Sequence, residues 1–172
     1  MTSAADPLTL VLVGPMAAGK TSVGRRVARR LGVEFVDTDK RIVAAHGPIP
    51  SIFADHGEPH FRDLERRAVA DAISEGGVIS LGGGAVTDAV TRELLRGHSV
   101  VFLTVSAEAV ADRLRGSNRP LLSGEDPIER WKRIFDERRG WYAEVASATF
   151  DTSRRPMQKI ADEIVAWKRE QR

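Results

Sequence analysis

Residues 14–21 read Gly-Pro-Met-Ala-Ala-Gly-Lys-Thr and satisfy the pattern G-x-x-x-x-G-K-[ST]. A loop of this kind turns successive backbone N–H groups toward phosphate oxygens, and the helix start that follows adds the positive end of its dipole. Lys20 is then placed to bridge the outer phosphates and the Thr21 hydroxyl to ligate Mg²⁺. Gly14, Ala17, Ala18, Gly19, Lys20, Thr21 and Ser22 form the expected nucleotide-contacting set. The loop alone does not separate ATP from GTP, but no N-K-x-D guanine-reading motif occurs in the chain, which favours ATP.

A magnesium–phosphate site calls for a carboxylate at a neighbouring strand end. The two clearest downstream strands run into Gly82-Gly83-Gly84 and into Ser106, so Asp37 and Asp39 become the candidates. One acid could hold the waters of the metal. The other could accept a proton from an attacking hydroxyl, or align it, because phosphoryl transfer needs charge neutralisation and orientation and little covalent help. Either Asp could instead merely cap the helix expected from about Lys40.

The elements that must carry these residues follow from the hydrophobic pattern. Leu8–Val13 is a continuous apolar run bounded by Pro7 and Gly14, the signature of a strand buried on both faces. Val23, Val27 and Leu31 then recur at helical spacing before Gly32. Further strands are expected at 33–36, 78–81, 100–105 and 148–151. Helices are expected over 22–31, from about 40, over 59–75, from about 87 to 96, from 107 to about 115, from Pro127 onward, and at the C-terminal end. Pro48, Pro50 and two glycines break the stretch from Gly47 to Gly57, yet Ile49, Ile52 and Phe53 make it a folded insertion and not a linker. Gly116–Gly124 reads as a loop, and Asp126-Pro127 with Glu129 supplies an N-cap, a proline at the first helical position and a capping-box acid. Strands alternating with helices predict an α/β domain with a mainly parallel sheet.

At 172 residues the chain accommodates one domain, residues 1–172. The absence of cysteine excludes disulfide frameworks, thiolate metal sites and thiol nucleophiles. The net charge is only +2, but the cations are 21 Arg against 5 Lys, and the guanidinium fork suits phosphates and carboxylates. These arginines alternate with Asp and Glu, a pattern that disfavours nucleic-acid binding. No run approaches 18 apolar residues, and the opening MTSAADP lacks a basic and an apolar region, so neither a membrane span nor a signal peptide is expected. The expectation is a cytoplasmic monomer.

Taken in order and spacing, several blocks together resemble the shikimate kinases, small P-loop enzymes that phosphorylate the 3-hydroxyl of shikimate on the route to chorismate. The blocks are GPMAAGKT, Asp37-Thr38-Asp39, GEPHFRDLE at 57–65, LGGG at 81–84, Arg119-Pro120-Leu121-Leu122, and an Arg upstream of Tyr142. The resemblance implies a three-layer P-loop NTPase fold of the nucleoside monophosphate kinase type. Its five-stranded parallel sheet has the order 2-3-1-4-5, with a substrate-binding segment at about 37–66 and a lid at about 114–126.

It further implies roles for individual residues. Asp39 resembles the acid that contacts the substrate hydroxyls and acts as base, and Asp37 the acid near Mg²⁺. Arg62 and Arg138 resemble the pair that grips the substrate carboxylate, with Glu65 orienting Arg62. Arg138 is preferred to Arg139 by its four-residue distance from Tyr142. Gly82, Gly83 and Gly84 would admit the ring hydroxyls to the backbone, and Phe53, Phe61, Pro120 and Leu121 resemble apolar walls. Arg119 resembles the lid arginine that reaches the phosphates, Arg113 the residue stacked on adenine, and Arg155 falls in the adenine-loop region. The chain departs from the usual pattern at Ala17, where a loop glycine is common and where alanine fits only if its φ stays negative. Thr21-Ser22 inverts the common order, Ser51 stands where an acid is frequent, and Gly140-Trp141 replaces Pro-Leu.

Two other readings compete. A kinase of the same architecture acting on gluconate would share the phosphate loop, but not the GEPHFR and RPLL blocks. A nucleotide-gated binding module without transfer chemistry would have no need of Asp39 and Arg119.

Overall fold

The computed structural model describes residues 8–115 and 126–171. Five strands form one sheet: β1 (Thr9–Val13), β2 (Phe35–Asp37), β3 (Gly77–Ser80), β4 (Ser99–Thr104) and β5 (Ala148–Asp151), in the order β2-β3-β1-β4-β5. All four pairings are parallel, with Leu10 opposite Val78 on one side and Ser99 on the other. This is the sheet order expected from the resemblance. The helices are α1 (Lys20–Leu31), α2 (Thr38–His46), α3 (Ile49–His56), α4 (Glu58–Glu75), α5 (Ala89–Leu95), α6 (Ala107–Arg115), α7 (Pro127–Val145) and α8 (Met157–Glu170).

Alternation along β1 builds the two halves of the core. Leu10 and Leu12 point into one cluster with Val23, Val27, Leu103, Ile160 and Ile164, which seats α1 and α8. Val11 and Val13 point into the other with Val69, Ile79, Leu95, Phe102 and Tyr142, which seats α4, α5 and α7. Each fully buried aliphatic side chain here contributes about 1.5–3 kcal/mol of transfer free energy. A third, smaller cluster of Ile42, Ile52 and Phe61 joins α2, α3 and α4.

The structure adjusts several expected boundaries. The insertion at 47–57 is the helix α3, entered through Pro48 and closed by Gly57 at φ 83°. The single helix expected from Thr87 is a short 3₁₀ turn, Ala85–Thr87, followed by α5, because the Asp88 carboxylate caps the amides of Val90 and Thr91 and restarts the helix there. Asp126 caps α7 as expected, accepting from Ile128 N. Of the lid expected at about 114–126, residues 116–125, with Arg119, Pro120 and Leu121, lie outside the described residues. Among the described residues no helix is long and apolar enough to cross a membrane.

Candidate active site

The chain order reverses at β1, whose neighbours β3 and β4 continue in opposite directions across the sheet. In open α/β sheets ligands gather at such a point, beyond the carboxyl ends of the strands. A cleft of about 970 Å³ opens there, lined by Pro15–Ala17, Gly19–Ser22, Asp37, Asp39, Gly82, Gly83, Trp131, Phe135, Arg138 and Tyr142.

The loop after β1 forms the floor. Lys20 Nζ donates to the carbonyls of Gly14 (2.7 Å) and Pro15 (3.0 Å), which arches the loop over its own lysine. Burial brings the Lys20 pKa down to about 8, opposed by the charges of Asp39 and Asp37 and assisted by that of Arg138. Ala17 lies in the left-handed region at φ 68°, contrary to the expectation of a negative φ. The turn that the loop must make there overrides the alanine's preference, at a cost of about 1–2 kcal/mol. The Arg113 guanidinium offsets it by donating to the Ala17 carbonyl at 2.6 Å.

The two aspartates divide their work. Asp37 caps α2 through Oδ1, which accepts from Lys40 N at 3.2 Å, so capping is one of its roles. Its Oδ2 stands 3.5 Å from Thr21 Oγ1. A hydroxyl beside one carboxylate is a hard oxygen set of the kind Mg²⁺ accepts when phosphates and waters complete its shell. Among the described residues no group of three or more His, Cys, Asp or Glu could hold a metal by itself. Asp39 lies one residue into α2, and its pKa is raised, first by burial and then by the neighbouring Asp37.

Beside Asp39 the glycines are spacers between charged groups. A methyl group at Gly82 would sit 2.5 Å from Asp39 Oδ1, and one at Gly84 would sit 2.7 Å from Arg62 Nη2. At Gly83 it would meet Arg138 Nη1 and Tyr142 Oη, each at 3.6 Å. Three consecutive residues thus adjoin Asp39, Arg138 and Arg62, and at two of them an added carbon would have to push a charged group aside. Tyr142 Oη donates to the Gly83 carbonyl at 2.5 Å, and burial pushes the phenol up to about 12.

Arg62 is held in place from two sides. Nη1 bonds Glu65 Oε1 at 2.7 Å, Nη2 bonds Glu58 Oε1 at 3.2 Å, and the guanidinium carbon lies 5.3 Å from the centre of the Phe61 ring. Glu65 is only 2% exposed, and burial raises its pKa against the pull of Arg62. Arg139, by contrast, is exposed and faces Asp136.

Other expected residues lie apart from the cleft. Phe61 is buried in the small third cluster and lies under Arg62, with Phe53 packed on it at 4.9 Å; like Arg62 and Glu65, neither ring is among the residues that line the cleft. Arg155 pairs with Glu163 on the surface. Arg113 spends its donors on Ala17 and Thr152. Trp131, Phe135 and Thr152 were not legible as site residues: Trp131 and Phe135 carry the apolar spacing of an ordinary helix face, and only the packing of α7 across the sheet brings them to the cleft.

The shikimate kinase family model matches residues 16–169. Curated shikimate kinases from Salinispora arenicola and Corynebacterium efficiens are 48% and 44% identical to the chain. Each match covers 91% of the chain, with 95% and 94% of the respective relatives. The solved shikimate kinase from Acinetobacter baumannii in complex with shikimate superposes with a TM-score of 0.85 at 36% identity, over 96% of this chain and 95% of that one. With the sheet order, the phosphate loop and the glycine-spaced charges already in place, these matches establish that the chain belongs to the shikimate kinase family.

Proposed function

We propose that the chain transfers the γ-phosphoryl group of ATP to the 3-hydroxyl of shikimate, giving shikimate 3-phosphate and ADP in the biosynthesis of chorismate. The observation that carries this reading is the convergence of Asp39, Arg62 and Arg138 on Gly82–Gly84, beside the cleft that Lys20 lines. Arg62 and Arg138 hold the carboxylate of the acid through charge-assisted bonds, and the fixed Glu65–Arg62 pair sets the direction of the first. Asp39 orients the acceptor hydroxyl and takes its proton as the oxygen attacks the γ-phosphorus and the bond to the β-phosphate oxygen breaks. Its raised pKa suits a proton acceptor better than an ordinary aspartate would.

Lys20 supplies positive charge to the transferring group. Thr21 and Asp37 are the residues that would hold Mg²⁺, which neutralises charge on the β- and γ-phosphates when bound. Arg119, from outside the described residues, is assigned to the transferring phosphates, with Pro120 and Leu121 beside the ring, on the family resemblance alone. We assign the chain to the cytoplasm as a monomer.

The test is ATP-dependent ADP release with shikimate and with gluconate as acceptors. Turnover with shikimate at least a hundredfold above gluconate supports the proposal. The opposite order favours the gluconate reading. ATP binding without acceptor-dependent turnover favours the binding module.

A further inference from the structure

The phosphate loop is held from behind by side chains that lie far from it in sequence. Three consecutive carbonyls each accept from outside the loop: Met16 O from Trp131 Nε1 at 2.8 Å, Ala17 O from Arg113 Nη1 at 2.6 Å, and Ala18 O from Thr152 Oγ1 at 2.7 Å. The donors come from α7, from α6 and from the residue after β5. Each peptide unit is planar, so fixing these carbonyls also aims the N–H groups of Ala17, Ala18 and Gly19. The loop passes through the left-handed Ala17 between the first and third of these anchors, and a backbone strained at its centre needs such external fixation.

Trp131 is the anchor whose chemistry is simplest to isolate. It is 5% exposed, and its ring stacks on Phe135 with centroids 5.1 Å apart. The indole N–H is a donor only, and the Met16 carbonyl is its partner. We propose that Trp131 is a positioning residue for the phosphoryl donor: through the Met16 carbonyl its N–H sets the aim of the loop amides and so the affinity for nucleotide, while leaving the site for the acid unchanged. This rests on the reading above that the loop takes the phosphates of ATP.

The experiment replaces Trp131 in the full chain with 3-benzothienylalanine, in which sulfur takes the place of the indole N–H and the ring shape is kept, and compares it with Trp131→Phe. ATP and shikimate are each titrated alone, and the amide resonances of Ala17 and Gly19 are followed by NMR. The expected result is an ATP Kd raised about three- to tenfold, in line with one net hydrogen bond. The shikimate Kd should stay within twofold, and the two amide resonances should shift. An unchanged ATP Kd in the folded isostere overturns the inference, as does equal weakening of both ligands, which marks a general packing role. Failure of the wild-type chain to bind ATP would overturn the proposed function itself and the inference with it.

Discussion

At the end of β1 the proposed binding groups are main-chain amides, whereas along α2 and α4 they are the side chains of Asp39 and Arg62. The loop's amides survive any substitution that leaves their direction intact, and that direction is set by three remote donors. The half proposed for the acid is built differently. Its charged groups are separated by glycines, and its key guanidinium leans on a carboxylate that is 2% exposed. The phosphate loop therefore tolerates Ala17 and the inverted Thr21-Ser22, while a single added carbon at Gly82 or Gly84 meets a functional atom. Both halves lean on distant packing: a Cβ at Gly14 would meet the Leu103 carbonyl at 2.5 Å, just as one at Gly82 would meet Asp39; they differ in whether the aimed groups are main-chain or side-chain.

The largest effects should come from the groups that meet the transferring phosphoryl. Lys20→Met and Asp39→Asn are each expected to lower kcat by about 10²-fold or more, roughly 2.7 kcal/mol of transition-state stabilisation, and Arg119→Ala to do the same. Near-normal steady-state turnover in all three variants would refute the mechanism.

Next in size, Gly82→Ala should raise KM for shikimate about tenfold, by displacing Asp39, and leave KM for ATP within twofold. Arg62→Lys keeps the charge but loses the fork, and it should have a KM effect of similar size. Removing the side chain altogether is a poorer test, because stranding the buried Glu65 would cost about 3–5 kcal/mol of stability. If KM for ATP rose as much as KM for shikimate, the two halves would not be separable in this way.

A third contrast is read in stability against pH. The folded-state pKa of Lys20 is about 8, below its ordinary 10.5, so the unfolded chain binds more protons between these values and stability should rise across that window. The phenol of Tyr142 is pushed up to about 12 from 10, so the folded chain keeps its proton longer and stability should fall from pH 10 to 12. Denaturant midpoints should lose the rise in Lys20→Met and the fall in Tyr142→Phe. Parallel curves for wild type and both variants would contradict the burial that underlies the shifts. Smallest of all, Arg139→Ala should change KM for shikimate less than twofold, since this arginine is exposed and faces Asp136. A large effect would exchange the roles of Arg138 and Arg139.

Much of this was readable before any coordinates. The glycine-lysine-threonine loop between an apolar run and a helical repeat specified a phosphate site by local chemistry alone, and the alternation of strands and helices specified a parallel sheet. Glu65 could be placed beside Arg62 because three residues on a helix return to nearly the same face. Such features are short in sequence, and their physics is local.

Tertiary structure decided the rest. The sign of φ at Ala17 was set by the turn of the loop and the reach of Arg113 from α6, not by the alanine's own preference. Trp131 became part of the phosphate site only because α7 packs across the sheet, 115 residues on from Met16. Phe61, expected as a wall, is packed with Ile42 and Ile52 where α2, α3 and α4 meet, and it lies under Arg62. Chain-distant contacts of this kind leave no periodicity behind: the same apolar spacing serves a helix face whether it meets plain core or the back of a binding loop.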